Sequence, residues 1–184
     1  TTEGAYLTGD DGVVHAGSGH TFVGDLHNQH GALAEELAQT LTQAGLAATK
    51  VCDIRQRLWQ KLAVNAAINP LVALNGVRNG ELRGEAYAGR MVAVVKEVAA
   101  IMLAEGIAPP NDGNGEGAWL ALVWQVVENT ANNKASMLQD VEAKRPTERG
   151  AILEPLVGSA QRHGLACEVL KGLDDEMAEL EASF

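Results

Sequence analysis

Lys61, Asn65 and Asn69 recur at steps of four within the segment Arg57–Pro70. On a helix each such step turns about 40°, so one ammonium and two carboxamides line a single narrow stripe. An ammonium offers three donors, and a carboxamide both donates and accepts, so such a stripe could hold a polar ligand. The rest of the segment is mostly apolar, with Leu58, Trp59, Leu62, Ala63, Val64, Ala66, Ala67 and Ile68. A helix apolar nearly all round is expected to be buried, and a buried Lys or Asn needs a hydrogen-bonding partner. From the residues alone two readings stand. Either Lys61 snorkels to water and the asparagines bond to nearby backbone, or the three groups converge on a ligand in a cleft. Pro70 withholds a backbone donor, which predicts a kink and an unpaired Ala66 carbonyl.

Other polar positions have ordinary structural readings. Ser136 followed by Gln139 fits a capping box. Thr147 fits a helix cap with Glu148 in the first turn, where a carboxylate suits the helix dipole. Asn79-Gly80 fits a turn, because both residues tolerate positive φ. Asn132 and Asn133 read as a helix end. Four histidines (His15, His20, His27, His30) cluster early, but their spacing fits no zinc pattern, so no metal is expected. Gly113-x-Gly115-x-x-Ala118 matches a loose dinucleotide pattern without the preceding strand that would give it a mechanism, and is rejected.

These residues need elements to hold them. Ala5–Leu7, Val13–His15 and Thr21–Val23, separated by Gly9-Asp10-Asp11-Gly12 and Gly17-Ser18-Gly19, read as a short β-meander that wants a larger sheet to join. Residues 30–44 form an amphipathic helix with Leu33, Leu37, Leu41 and Ala44 on one face, closed by Gly45. Leu46–Val51 is a strand or extended link, and Asp53 caps the helix that carries the stripe. That helix runs on past Leu71, Leu74 and Val77 to a Gly-rich stop. Further helices are expected over 85–105 (with Met91, Val92, Val95, Val98, Ala99 and Met102 inward), 119–131, 136–143, 148–163 and 168–182.

The chain has 184 residues, 46% of them hydrophobic and 21% charged, which bounds it to one good core plus at most a fragment of another domain. A net charge of -10 argues against a nucleic-acid or anionic-membrane surface. It leaves room for a small anionic ligand, since distant charges are screened within about 10 Å. Cys52 and Cys167 fit neither a zinc site nor a disulfide framework, so a reduced, cytoplasmic setting is the default. No signal peptide or membrane span is read, and without an initiator Met the chain reads as starting partway into a longer protein.

Taken together, Leu58-Trp59-Gln60-Lys61-Leu62-Ala63-Val64-Asn65-Ala66-Ala67-Ile68-Asn69-Pro70-Leu71, Asn79-Gly80-Glu81-Leu82, Ser136-Met137-Leu138-Gln139-Asp140 and Pro146-Thr147-Glu148 resemble, in order and spacing, the C-terminal domain of the ketopantoate reductases. The resemblance implies a mainly α fold: residues 1–24 as the end of a Rossmann-type nucleotide-binding domain, and residues 25–184 as a helical substrate domain of the 6-phosphogluconate dehydrogenase C-terminal type. It implies NADPH-dependent reduction of 2-dehydropantoate to pantoate, for pantothenate and coenzyme A synthesis. Lys61 and Glu148 then match the catalytic positions, and Asn65, Asn69, Asn79 and Ser136 the substrate-binding ones. Burial of Lys61 would push its ammonium toward the neutral form, and a nearby carboxylate would oppose this. Departures from the family are Arg149-Gly150 after Glu148, where Ile-Asp is usual, and Leu153-Glu154-Pro155, where Asn-Gly is usual. No Gly-x-Gly-x-x-Gly unit is present, so the cofactor-binding residues are unknown and the polypeptide alone is not expected to turn over. The expected partner is a small 2-oxo acid, with a homodimer as an option. The rival readings are a non-catalytic helical dimerisation or ligand-binding module, and a reductase of the same family acting on another 2-oxo acid.

Overall fold

The computed structural model describes residues 1–8 and 12–184, so the turn residues Gly9, Asp10 and Asp11 lie outside the described residues. The chain divides into two compact units, Thr1–Leu58 and Trp59–Phe184. Within the first unit the segment after residue 24 returns to pair with the strand before it.

In the first unit β1 (Gly4–Thr8) and β2 (Gly12–Gly17) form an antiparallel ladder, with Ala5 opposite His15 and Thr8 opposite Gly12. The third strand does not extend this ladder into a meander. β3 (Thr21–Val23) instead pairs in parallel with β4 (Ala48–Lys50), and α1 (Gly31–Gln43) is the crossover between them. Parallel neighbours need such a crossover, whereas a meander needs only turns. α1 packs against both strands through Ala34 and Ala38, while Leu33 and Leu37 remain exposed. The apolar face of α1 is thus broader than the leucine row, and the small residues on it make the close approach to the strands. Arg57 stacks 4.4 Å above the Phe22 ring, and His20 bonds Thr49 at 2.7 Å.

The second unit is helical throughout. α2 (Ile54–Asn75) begins in the first unit and continues in the second. Asp53 caps it, its Oδ1 accepting the Gln56 N–H at 2.9 Å. It runs unbroken through Pro70 and ends at Gly76, whose φ of 63° is the left-handed conformation that lets the Val77 N–H reach back to the Val72 carbonyl. A 3-10 turn (Asn79–Arg83) leads to α3 (Glu85–Ala104), then α4 (Gly115–Asn129), α5 (Ser136–Glu142), α6 (Arg149–His163) and α7 (Glu168–Glu181). α4 begins four residues before Trp119, and the element preceding its glycines is a 3-10 turn (Pro110–Asp112), not a strand.

One core joins these helices. α2 contributes Ala63, Ala66, Ala67, Ile68, Leu71 and Val72; α3 contributes Met91, Val95, Val98 and Met102. Trp119, Met137, Leu153, Leu156, Leu170 and Met177 fill the space between them from the later helices. Val92, expected inward, is exposed, and Val94 and Ile101 take inward places. Glu97 on α3 caps α7 from a distance, its two oxygens accepting the N–H groups of Val169 and Leu170 at 2.9 Å each. The fold is therefore mainly α with a small β portion at its start. No described helix is long and apolar enough to cross a membrane.

Candidate functional site

The stripe on α2 is graded rather than buried along its length. Lys61 is exposed, Asn65 is half-buried, and Asn69 is 8% exposed. Of the two readings of Lys61, enclosed or reaching water, the structure shows the second: the helix enters the core only from Ala63 onward, so its ammonium stays at the surface while the asparagines lead inward. Around Asn69 the chain is apolar and closed, with Ala66 and Ala67 at 0% and Leu71 at 1% exposure. None of the described side-chain hydrogen bonds involves the Asn69 carboxamide. Its polar atoms are not among the enclosed, unpartnered ones, so the carboxamide keeps some access to solvent.

Asn79 opens the 3-10 turn after α2 and is buried. Its Nδ2 donates to Thr130 Oγ1 at 2.9 Å, and its backbone N–H donates to the Asn133 carbonyl at 3.1 Å. The Gly80 N–H donates to the Ala131 carbonyl at 3.0 Å, and a Cβ on Gly80 would lie 2.7 Å from that of Ala131, so glycine is required for this approach. The Arg78 guanidinium bonds the Asn132 carbonyl. The turn is thereby stitched to the 130–133 loop that runs into α5. Asn79 Oδ1 is enclosed and meets no donor among the described residues.

Ser136 follows directly as the first residue of α5 and is exposed. The capping box is not formed: Ala135 is the N-cap, and Gln139 Nε2 donates to the Lys134 carbonyl at 3.1 Å. The Ser136 hydroxyl is one position too late to serve as a cap. Asn79 and Ser136 thus belong to one interlocked stretch.

Glu148 is the N-cap of α6 and is exposed. The expected Thr147 cap with Glu148 in the first turn is shifted by one: Glu148 holds the N-cap position, and Thr147 Oγ1, just before it, accepts the Arg149 N–H at 3.2 Å. The sequence reading missed the anchor of this corner. Glu181, at the end of α7, accepts from the Thr147 N–H at 2.8 Å and from Arg149 Nε at 3.0 Å, while Arg149 also donates to Asp174 at 2.6 Å. Hydrogen bonds that it donates to Asp174 and then to Glu181 push the Arg149 guanidinium above its ordinary value. Burial alone would push the Glu181 carboxyl up, but Thr147 and Arg149 outweigh it and hold it below the usual carboxylate range. The only sequence signal was the unusual Arg149 itself, because its partners lie 25 and 32 residues away.

Two groups were tested against the described residues. No cluster of three or more His, Cys, Asp or Glu among them is arranged to hold a metal ion. His15 pairs instead with Glu3 at 2.7 Å. A dinucleotide does not fit the turn between β3 and α1. Asp25 already occupies the amides there, accepting the N–H groups of His27, Gln29 and His30 at 3.2, 2.6 and 3.0 Å. These amides, those of His27 and Gln29 first, hold its carboxyl below the usual range. A pyrophosphate would need the same donors.

The described features make a mainly α domain with a graded Lys-Asn-Asn stripe on α2, a stitched turn after it and an acid at the start of α6. The sequence model described as "Ketopantoate reductase PanE/ApbA C terminal" matches residues 53–181, and the chain belongs to that family. Across the whole chain it is 38% identical to 2-dehydropantoate 2-reductase of Vibrio cholerae, of which it covers 60%. It is 37% identical to the enzyme of the same name from Archaeoglobus fulgidus, over 94% of this chain and 56% of that one. Among solved structures, "Probable 2-dehydropantoate 2-reductase panE" from Bacillus subtilis superposes with a TM-score of 0.81 at 30% identity, over 98% of this chain and 59% of that one. D-mandelate dehydrogenase with NADH and anilino(oxo)acetate shares the fold, with a TM-score of 0.89 at 24% identity, over 99% of this chain and 59% of that one. The chain spans 48% to 60% of the length of the curated relatives it matches.

Proposed function

We propose that this chain is the substrate-binding and catalytic part of an NADPH-dependent 2-dehydropantoate 2-reductase, which reduces the ketone of 2-dehydropantoate to the alcohol of pantoate. The observation that carries this reading is the stripe of α2, which runs from an exposed ammonium at Lys61 to a buried carboxamide at Asn69 within the segment matched to the family. Relatives that cover most of this chain bear that enzyme's name. In this reading residues 1–24 belong to the end of a nucleotide-binding domain, and the dinucleotide is held by residues other than those described here.

Each residue then has one task. Lys61 lies beside the ketone oxygen, polarises it, and gives a proton to the alkoxide as it forms. Asn65 and Asn69 bond the substrate's polar groups along the cleft wall, where a carboxamide can match either a donor or an acceptor. Ser136 donates its hydroxyl proton to the substrate carboxylate, a charge-assisted bond. Glu148 accepts from the substrate hydroxyl, and Asn79 holds the turn against the loop leading to Ser136. The setting we expect is cytoplasmic. A homodimer is consistent with a neighbour of the same fold described as a dimeric ketopantoate reductase from Staphylococcus aureus.

The test is NADPH oxidation by the full-length protein that carries this chain, offered 2-dehydropantoate and a panel of other 2-oxo acids. Turnover with 2-dehydropantoate preferred supports the reading. Preference for another 2-oxo acid would make it a sister reductase, and binding without turnover a ligand-binding module.

A further inference from the structure

We propose that Glu181, together with Arg149, is a positioning residue for Glu148, fixing the chain on both sides of that carboxylate. The inference rests on the reading of Glu148 as a group that meets the substrate. Glu181 Oε1 accepts both the backbone N–H of Thr147, at 2.8 Å, and its hydroxyl, at 2.5 Å. The other oxygen, Oε2, accepts Arg149 Nε at 3.0 Å. Thr147 Oγ1 accepts the Arg149 N–H at 3.2 Å, and the guanidinium reaches on to Asp174 Oδ1 at 2.6 Å. Residues 147 and 149 are therefore each tied at several points to one carboxylate on α7 or to each other. Between them the Glu148 carbonyl accepts the Ile152 N–H at 3.1 Å, while its carboxylate makes no described side-chain bond and is exposed at φ -81°, ψ 19°.

Two features separate positioning from simple stabilisation. The packing of α6 against α7 does not depend on the clamp, since Leu153, Leu156, Leu170, Leu173 and Met177 are all fully buried in the core. Arg149 is also committed: its Nε and one terminal nitrogen are bonded to Glu181 and Asp174, so it serves the corner and not a ligand. An exposed carboxylate at a helix start would otherwise sample many positions, and a misplacement of about 1 Å can cost roughly a hundredfold in rate.

The experiment uses the full-length protein with substitutions E148Q, E181A, T147V and the pair E148Q/E181A. Two quantities are read: kcat and KM for 2-dehydropantoate with NADPH, and amide hydrogen exchange at Thr147 and Arg149. E181A should lower kcat about tenfold, and T147V should lower it less. The double variant should lie within about twofold of E148Q alone, because Glu181 acts through Glu148. Exchange at Thr147 and Arg149 should rise in E181A while α3 and α4 keep their protection. A double variant whose loss is the product of the single losses, or E181A with unchanged exchange at both amides, overturns the proposal. If the wild type shows no turnover, the functional reading fails, and the exchange result still decides whether the clamp holds.

Discussion

Asn69→Leu separates a functional from a structural role for the stripe most cleanly. The side chain is 8% exposed, its neighbours Ala66, Ala67 and Leu71 are closed to solvent, and no described side-chain hydrogen bond holds its carboxamide. Leucine has nearly the same shape. Burying it is worth about 1.5–3 kcal/mol, while the Asn69 amide, whose polar atoms keep some access to solvent, bears only the lower part of the roughly 1–3 kcal/mol cost of burying an unpaired amide. The substitution should therefore stabilise the fold, by about 1–2 kcal/mol once imperfect packing is allowed for. For a domain of this size that is a Tm rise of roughly 2–6 °C by calorimetry. In the same protein, loss of the amide's bond to the substrate should lower kcat/KM by about 10- to 100-fold. A Tm that falls by more than about 3 °C with kcat/KM intact would show that Asn69 serves the fold, and would refute the cleft-wall argument.

Further outcomes follow from other residues. Ser136→Ala should leave Tm unchanged, since the side chain is exposed and caps nothing, and should raise KM for the oxo acid about tenfold through loss of a charge-assisted bond; an unchanged KM removes Ser136 from the site. Glu97→Ala strips the cap from the Val169 and Leu170 amides and should cost about 0.5–2 kcal/mol, read as a lower Tm. Glu181→Ala should lower Tm more at pH 7 than at pH 3. The folded value of this carboxyl is depressed by Thr147 and Arg149, so its stabilisation is present above the unfolded value near 4.5 and fades as pH falls through the folded one. An equal deficit at both pH values contradicts the ion pair's role.

Local features were legible in the sequence, and distant ones were not. The stripe at 61, 65 and 69 and the Asp53 cap follow from helical periodicity and from side chains a turn apart, so they could be read directly. The pairing of β3 with β4 spans a whole helix, and nothing in Thr21–Val23 distinguishes a meander strand from a crossover strand. Leu33 and Leu37 share a broad apolar face with Ala34 and Ala38, and which half of that face is covered depends on the strands beneath. Ser136 failed as a cap by a single position, because Ala135 adopts the extended conformation that ends the loop. The apolar neighbours of Lys61 left open whether its ammonium was enclosed or reached water; it is exposed, because the helix sinks inward only two residues later. Arg149 looked like a departure that weakened the case for Glu148; in the fold it joins Glu148's flanks to Glu181, 32 residues on.

The central claim is that Lys61 is the proton donor of a 2-dehydropantoate reductase. Its most direct measurement is NADPH oxidation by the full-length protein with 2-dehydropantoate, wild type against Lys61→Ala. Lys61 is exposed, so a contact it makes is worth at most about 1 kcal/mol and the variant should stay within about 4 °C of the wild-type Tm. A loss of about 10²- to 10⁴-fold in kcat is expected for removal of a general acid, with KM affected much less. A variant that retains wild-type kcat would contradict the account.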